Sequence, residues 1–361
     1  MTYFQAILLY CFQQIQTERT MASVFHLLKG KKSSQTIQDS FLYNLYIFFH
    51  LFPFLKRKDF ENELEQLSTY GWIYLQDGRV QVTEQGKQQV SAFFQQESWP
   101  SYLNGWKYQD AAIVFWKRLT LSVQVVSNLI YYQKEYYPIQ RETNVLRWMK
   151  WWLKQHWTNR RDLANKLYDE LFTLFQHDAP EDPSLVVYRL TGAKRIGMTG
   201  LQVAESLNIP YDTYWVKFIH ILHYALQTIQ KHKKDYPLLY SMVEDLLTPL
   251  SLTNSTKETY QLIQKGWTIS RIAQYRSLKK STIEDHIIEI TLNDPTFSIE
   301  PFVDNETIRQ VREVAASMKN RRLKPIKERL PHVEYFQIRL VLAKYGEVYE
   351  HTLSSQEKVR L

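Results

Sequence analysis

Three residue types are scarce in this sequence of 361 residues: cysteine, glycine and proline. The single cysteine, Cys11, excludes an intrachain disulfide and is typical of a reducing compartment. Because Leu8, Leu9 and Phe12 surround it in the sequence, we expect Cys11 to be a small buried apolar residue and not a reactive thiol. Only 10 glycines and 12 prolines interrupt the chain, so long segments run without turn signals. This scarcity predicts a mainly α-helical protein.

The sequence also lacks an apolar run long enough to cross a bilayer. The most apolar segment, residues 41–55, is too short and contains Asn44, His50 and Pro53, so we predict a helix of the protein core there. The N-terminal residues are apolar but have neither a basic region nor a small-residue cleavage site, and they do not resemble a signal peptide. We therefore expect a cytoplasmic protein.

Positive charge is in excess. The chain has 45 lysines and arginines against 37 aspartates and glutamates, a net charge of +8. A basic chain favours a polyanionic partner, although net charge alone says nothing about fold. The hydrophobic fraction of 44% and the length together predict two or three domains with packed cores.

Residues 266–287 contain two short helical patterns separated by a tight corner. The apolar positions recur at helical spacing on both sides: Ile269, Ile272, Ala273 and Tyr275, then Ile283, His286, Ile287 and Ile290. The corner needs a residue that tolerates the left-handed backbone region, and Ser277 occupies that position. Leu278 supplies an apolar plug. Ser281 or Lys280 is expected to begin the second helix, and Ser281 has the better oxygen atom for a cap. We predict a helix-turn-helix unit whose second helix faces outward, towards a groove or a partner.

The preceding segment STKETYQLIQKG predicts a third helix. Ser255 or Thr256 is the expected N-cap. Tyr260 and Ile263 are expected to face inward, and Gly266 to end the helix. A corner of two helices backed by a third is the smallest helical unit that reads DNA.

The same pattern occurs a second time, without gaps, when residues 197–213 are set over residues 266–282. Asn208 then falls on Ser277, and asparagine is one of the few residues that readily adopts the left-handed region. The second helix of this early copy, TYWVKFIHILHYAL, is apolar almost all round. We therefore expect it to be more buried than exposed to a groove, which favours a packing or partner module over a DNA reader.

The N-terminal region predicts a third module. Residues 57–90 read as a helix, a strand, the turn Asp77-Gly78, a second strand and a helix, which is how a winged helix ends. Upstream, the segment GKKSSQT lies between two short helical patterns. Lys31 and Lys32 could contact phosphate there, and a solvated turn explains them equally well.

A resemblance to a known family covers most of the chain. Residues 251–345 resemble the helix-turn-helix domain at the C-terminus of some RecQ-type helicases, through TYQLIQKGWTISRIAQYRSLKKSTIEDHIIEI and LKPIKERLPHVEYFQIRLVLAKY. The combination of Arg276 with His286 carries the likeness, and Ser277 departs from the glycine usual at its position. The whole chain, including RTMASVFHLLKGKKSSQTIQD and YRLTGAKRIGMTGLQVAESL, is similar to YpbB-like bacterial proteins. This resemblance implies a link with a RecQ-type helicase and no established chemistry.

Signals of catalysis are weak. The segment GAKRIGMT resembles a phosphate-binding loop, but Met198 stands where a working loop needs lysine. His220 and His223 lie on one helical face, and two histidines alone do not make a metal site, so we expect a satisfied or surface pair. No nucleophile or carboxylate-pair motif is evident. We expect a protein that is not an enzyme and that has no cofactor and no metal.

The segment RWMKWWLKQHW, residues 147–157, predicts a helix with Trp148, Trp151 and Trp152 on one face. A buried stripe in a helical core is the favoured interpretation. A stacking platform for single-stranded DNA, a partner contact and a membrane-surface helix are the alternatives.

Two groups of residues are candidates for phosphate contact. The first is the expected start of the second helix in the C-terminal unit, and the second is the basic run of residues 319–332. A solvated helix face explains the basic run equally well. Glu284, Asp285 and Glu289 follow the first group and argue against deep insertion into a major groove. With the N-terminal turn, the predicted DNA-binding residues are Lys279, Lys280, Ser281, Thr282, Arg321, Arg322, Lys324, Lys327, Lys31 and Lys32.

These observations predict a mainly α fold with multiple helix-turn-helix or winged-helix-like modules and a small β-hairpin wing. The predicted segments are 1–98 (winged-helix-like), 99–180 (Trp-rich connection), 181–247 (middle helix-turn-helix-like), 251–346 (helicase-type helix-turn-helix) and 347–361 (tail). We expect a non-catalytic DNA-binding accessory protein linked to a RecQ-type helicase in DNA replication, recombination or repair. A sequence-specific transcriptional regulator and a protein adaptor that binds the helicase without DNA are the alternatives.

Overall fold

A computed structural model describes residues 1–176, 178–247, 250–318 and 322–346. They form α-helices, one short 3₁₀ helix (Tyr46–Phe48) and one β-hairpin of β1 (Ile73–Gln76) and β2 (Arg79–Val82), so the predicted mainly α fold is confirmed. The helices are α1 (Tyr3–Ile15), α2 (Met21–Lys29), α3 (Ser34–Leu42), α4 (Arg57–Thr69), α5 (Glu84–Gln96), α6 (Gly105–Ile130), α7 (Thr143–His156), α8 (Arg160–Gln176), α9 (Ser184–Val187), α10 (Gly200–Ser206), α11 (Tyr211–Lys231), α12 (Pro237–Ser241), α13 (Asn254–Gln264), α14 (Ile269–Tyr275), α15 (Lys280–Asn293), α16 (Asn305–Ala316), α17 (Leu323–Arg329) and α18 (Tyr335–Tyr345).

The chain divides into two compact units, and each is built from two separate sections of sequence. The first unit contains residues 1–7 and 93–249. The second contains residues 8–92 together with the residues from Leu250 onwards. Most of the N-terminal module therefore shares a unit with the C-terminal helix-turn-helix. The five predicted segment boundaries stay predictions, and the predicted tail, 347–361, lies outside the described residues.

The two predicted corners form as the repeated pattern requires. Asn208 has φ 54 and Ser277 has φ 52, so both adopt the left-handed conformation that the turn demands. Thr199 and Thr268 cap α10 and α14, and each side-chain oxygen accepts a hydrogen bond from a backbone N–H of the first turn. The corner geometry was predictable because it depends on residues adjacent in sequence.

The early copy lies in the first unit, where α11 packs against α6, α9 and α10. Most of the side chains of α11 are buried, on every face of the helix. The prediction that this second helix is buried and not exposed to a groove is confirmed.

The Trp-rich helix α7 belongs to the same unit and is only partly buried. Trp152 is fully buried, and its indole N–H donates to the hydroxyl of Ser241 at 2.8 Å. Trp148 stacks against it with ring centroids 6.0 Å apart and lies beneath the guanidinium of Arg118. Trp151, rotated about 100° from its neighbour, is half exposed. The predicted single stripe is therefore wrong for Trp151.

Residues 41–55 are buried for the most part but are not the single helix that we predicted. Helix α3 ends at Leu42, and Asn44 and His50 have φ values of 55 and 60, which break the chain into turns on both sides of the 3₁₀ helix. Apolar composition predicted burial correctly here, but it could not distinguish a helix from a compact irregular segment.

The N-terminal hairpin has the predicted order of helix, strand, turn, strand and helix. Ile73 pairs with Val82 and Leu75 with Val80, and the turn at Asp77-Gly78 has positive φ at both residues. The tip of the hairpin is not free, because the carbonyl of Gly78 accepts a 2.8 Å hydrogen bond from the N–H of Met21.

The histidine pair of α11 has a structural role. His220 Nε2 accepts a hydrogen bond from the N–H of Tyr102 at 3.1 Å, and His223 Nδ1 accepts from the N–H of Asn104 at 3.2 Å. The prediction of a satisfied pair holds for His220, whose Nδ1 also lies 2.9 Å from Glu181 Oε1. It does not hold for His223, because its buried Nε2 has no hydrogen-bond partner among the described residues. Burial, with the neighbouring His220 second, lowers the pKa of His223 to about 3.

This pKa predicts that the first unit loses stability in mild acid. Below pH 6.5 the unfolded chain binds a proton at His223 and the folded chain does not, so acid favours unfolding. At pH 5 the loss relative to pH 7 should be about 2 kcal/mol. His223→Asn keeps an acceptor near the position of Nδ1 without titrating, and it should abolish most of this loss.

The measurement is the free energy of unfolding from urea titrations at both pH values. Tryptophan fluorescence reports mainly the first unit, because of the 10 tryptophans only Trp72 and Trp267 lie in the second. The exposed His232→Asn is the control and should keep the wild-type pH dependence. An equal loss of stability in His223→Asn and wild type would contradict the assignment.

Candidate nucleic-acid interface

The second helix of the C-terminal corner, α15, is a core helix. It packs against α13, α14 and α18, and also against α3 of the N-terminal module. Beyond its first turn most side chains are buried: Ile283, His286, Ile287, Ile288, Glu289, Ile290 and Thr291. The prediction that this helix faces outward is therefore wrong. Because α15 has isoleucines on more than one face, other helices must pack against it on more than one side. One of these helices is α3, which is distant from α15 in the sequence.

Arg339 of α18 joins three helices of the second unit. Its guanidinium lies 2.7 Å from the carboxylate of Asp285 on α15. It also donates to Gln38 Oε1 at 2.8 Å and to the hydroxyl of Ser34 at 3.0 Å, both on α3. A planar guanidinium with several donors is well suited to bridge partners in this way. Asp285, expected to repel DNA, is thus neutralised within the protein.

Polar side chains in the middle of α15 are also used internally. The carboxylate of Glu289 accepts from the hydroxyl of Thr256 at 2.8 Å and from the N–H of Thr253. Burial raises the pKa of Glu289, and burial lowers the pKa of His286, whose Nδ1 lies 2.8 Å from the hydroxyl of Thr259. These contacts hold α15 against α13 and leave this part of the helix unavailable to a groove.

The start of α13 differs from the prediction in one detail. Its N-cap is Thr253, whose hydroxyl accepts from the N–H of Thr256, and not Ser255 or Thr256. The sequence offers several adjacent hydroxyls, and the contact with Glu289 from a distant helix selects among them.

The corner itself remains exposed. Lys279, Lys280 and Ser281 are exposed and Thr282 is half-buried. Lys279 is the N-cap of α15 and makes no side-chain capping bond, so the expectation that Ser281 caps the helix is wrong. The helix begins at Lys280, two residues earlier than a cap at Ser281 implies. This places the two lysines at its positive end, where anions are favoured.

Residues 259–283 contain no aspartate or glutamate, and we name them the acid-free segment. Their cations are Lys265, Arg271, Arg276, Lys279 and Lys280. Arg276 is used within the fold, because it bonds the carbonyl of Ser255 and the carboxylate of Glu258. The other four cations have exposed side chains. A positive surface without acids is what a phosphate backbone requires.

An aromatic cluster lies within the acid-free segment. The guanidinium of Arg271 lies 4.0 Å from the ring centre of Trp267, and the rings of Trp267 and Tyr275 meet edge to face at 5.1 Å. Tyr275, which the helical spacing groups with Ile272 and Ala273, is 69% exposed. It is the last residue of α14 and lies on the outer face of this helix, whereas Ile272 points to the core and Trp267 precedes the helix by two residues. Spacing of four from Trp267 through Arg271 was the signal that sequence reasoning missed.

The other predicted DNA-binding residues are dispersed. Lys31 and Lys32 follow α2 and are exposed. The positive charge of Lys32 partly offsets the effect of burial, which raises the pKa of Glu289. Lys324 lies 3.9 Å from Glu328, and Lys327 donates to the carbonyls of Pro331 and Val333 at 2.8 and 2.7 Å. Arg322 is the N-cap of α17, and Arg321 lies outside the described residues. Their contact with DNA stays a prediction, and the structure gives Lys327 a local packing role.

The first unit contains a second surface of interest, an apolar cleft between α6, α8 and α9. Tyr168 and Phe172 stand at its edge, 63% and 48% exposed, with their rings stacked 5.7 Å apart. Lys194 lies over the ring of Tyr131 at the same cleft. The sequence signal for this surface was the spacing of four between Tyr168 and Phe172 on α8. The same spacing is also typical of core residues, so the sequence alone did not identify them as exposed.

The part of the chain that the structure describes has neither a group of side chains suited to a metal ion nor a helix suited to cross a membrane. Across residues 1–176, 178–247, 250–318 and 322–346, no three histidine, cysteine, aspartate or glutamate side chains are grouped so that they could hold a metal ion. Over the same ranges, none of the helices has the length and apolar character needed to cross a membrane.

Comparison with known proteins agrees with this geometry. Residues 255–342 match the family described as helix-turn-helix domain. The match extends from α13 into α18 and suggests DNA binding. No solved structure matches the chain. Protein YpbB of Bacillus subtilis (strain 168) is 34% identical over 353 residues, which are 97% of this chain and 99% of that protein. An identity of this size along nearly the whole length of both proteins shows that the chain belongs to the YpbB family.

Proposed function

We propose that this protein is a non-catalytic accessory factor that binds DNA through the acid-free segment and acts with a RecQ-type helicase in DNA replication, recombination or repair. The observation that carries the DNA-binding part is the exposed cations of this segment at a helix-turn-helix corner. The helicase link is supported by the resemblance of residues 251–345 to a domain of such helicases. The absence of a lysine at Met198 and of nucleophile motifs supports a role without catalysis.

The mode of binding follows from the burial of α15. A helix that reads bases in the major groove needs several exposed side chains along its length. Here only the first turn is exposed, and its residues are lysines and hydroxyls that suit phosphate. We therefore propose weak dependence on base sequence and strong dependence on salt. This disfavours the alternative of a sequence-specific transcriptional regulator.

A lysine pair provides the test. In fluorescence anisotropy titrations of the whole protein with DNA, affinity should fall steeply as salt rises. Lys279→Ala/Lys280→Ala should lower the slope of log affinity against log salt by about 1 to 2, because up to two phosphate contacts are lost.

The control is Lys233→Ala/Lys234→Ala, which removes two adjacent exposed lysines of the first unit. This variant should keep the wild-type slope. Absence of binding to single-stranded, duplex and forked DNA at low salt would overturn the proposed function. Equal losses in the two lysine pairs would show that only net charge matters.

A second candidate function is a protein adaptor, and the apolar cleft of the first unit is the observation that favours it. Exposed stacked aromatics beside a cleft are typical of surfaces that receive an apolar segment of another protein. An adaptor and a DNA-binding factor are compatible, because the cleft and the acid-free segment belong to different units.

The adaptor role predicts that Phe172→Glu weakens binding to a purified RecQ-type helicase of the same organism by about tenfold or more. DNA affinity should not change. Tyr74→Glu, which alters an exposed aromatic of the β-hairpin, is the control and should leave helicase binding intact. Unchanged helicase affinity in Phe172→Glu would exclude the cleft as the docking surface.

A further inference from the structure

The aromatic cluster of α14 has a geometry that phosphate binding does not explain. Trp267, which precedes the N-cap of α14, and Arg271 and Tyr275 of α14 are spaced by four, and we name them the row. Their side chains are close together, because the ring centres of Trp267 and Tyr275 lie 5.1 Å apart. A guanidinium over one ring and an edge-to-face contact with the next hold the row in place. The terminal ring, Tyr275, is 69% exposed although it is large and partly apolar.

The surroundings of the row identify its partner by charge. Trp267 and Lys280 line the same surface hollow, so the aromatic row and the lysines of the corner are neighbours in space. Glu284 and Glu334 also line this hollow. A purely apolar protein segment does not use four exposed cations, and an acidic one does not use the exposed face of Tyr275. Anionic groups of a partner must lie on the side of the cations and away from Glu284 and Glu334. A chain of neutral flat rings joined by phosphates satisfies both conditions, with its phosphates on the lysine side.

We infer that the Trp267–Arg271–Tyr275 row stacks the unpaired bases of single-stranded DNA while Lys279 and Lys280 contact its phosphates. This inference rests on the proposed DNA binding and specifies its substrate. Aromatic side chains and arginine planes offer stacking faces to any base, so no sequence preference is required. Paired bases in a duplex are stacked on one another and cannot use the row, so single strands should bind more tightly than duplex of equal length.

The test compares Tyr275→Leu with Tyr74→Leu, since the two tyrosines are exposed to similar extents, 69% and 66%, and both lie in the second unit. Leucine keeps an apolar side chain but removes the stacking face. Tyr275→Leu should weaken binding to oligo(dT) by at least about fivefold and binding to duplex by less than about twofold. Tyr275→Trp should restore tight binding, and Tyr74→Leu should have no effect.

An oligonucleotide with abasic sites isolates the stacking contribution. Wild type should bind oligo(dT) at least about fivefold more tightly than the abasic strand of equal charge, and Tyr275→Leu should bind both alike. If Tyr275→Leu binds all these DNAs like wild type, the inference is overturned while the lysine-dependent proposal stands. If instead Tyr275→Leu impairs only helicase binding, the row is a protein contact and the inference is also overturned. If wild type binds none of these DNAs, both proposals fail.

Discussion

The burial of α15 is the constraint on which the rest of the second unit depends. An amphipathic helix at this position could leave one face to DNA, but α15 has isoleucines on several faces and a buried carboxylate in its middle. The side chains of α15 are buried on all sides only because α3, from the N-terminal part of the chain, also packs against it. Arg339 then fixes the three helices together through Asp285, Gln38 and Ser34. The N-terminal module is therefore part of the helix-turn-helix core and not an appendage.

In this arrangement the exposed surface of the helix-turn-helix unit lies at the corner and on α14, and not along the second helix. Helix-turn-helix proteins read base edges with the second helix, and most of that helix is unavailable here. What remains outside is the acid-free segment with its exposed cations, bordered by Glu284 and Glu334, and the row of Trp267, Arg271 and Tyr275. Such a surface fits the proposed recognition of backbone charge and base faces, which every DNA sequence shares, and the proposed partnership with a strand-separating enzyme.

Local features of this fold were predictable from sequence and non-local ones were not. The left-handed Asn208 and Ser277 and the Asp77-Gly78 turn depend on neighbours in the chain, and they were predicted. The exposure of Tyr275 and the cover of α15 depend on helices tens to hundreds of residues away. A periodic apolar pattern predicts that a helix face is buried, but it does not predict which other helix packs against that face. For this reason the sequence identified the lysines of the corner and missed the aromatic row beside them.

Photo-crosslinking tests most directly the claim that α14 and the corner, and not the length of α15, hold the DNA. A single strand containing 4-thiothymidine would be irradiated with the whole protein, and the crosslinked peptides identified by mass spectrometry. The account predicts crosslinks within residues 265–282, at Trp267 or Tyr275 above all, and their loss in Tyr275→Leu. Crosslinks confined to the Trp-rich helix α7 or to any other part of the first unit would contradict it.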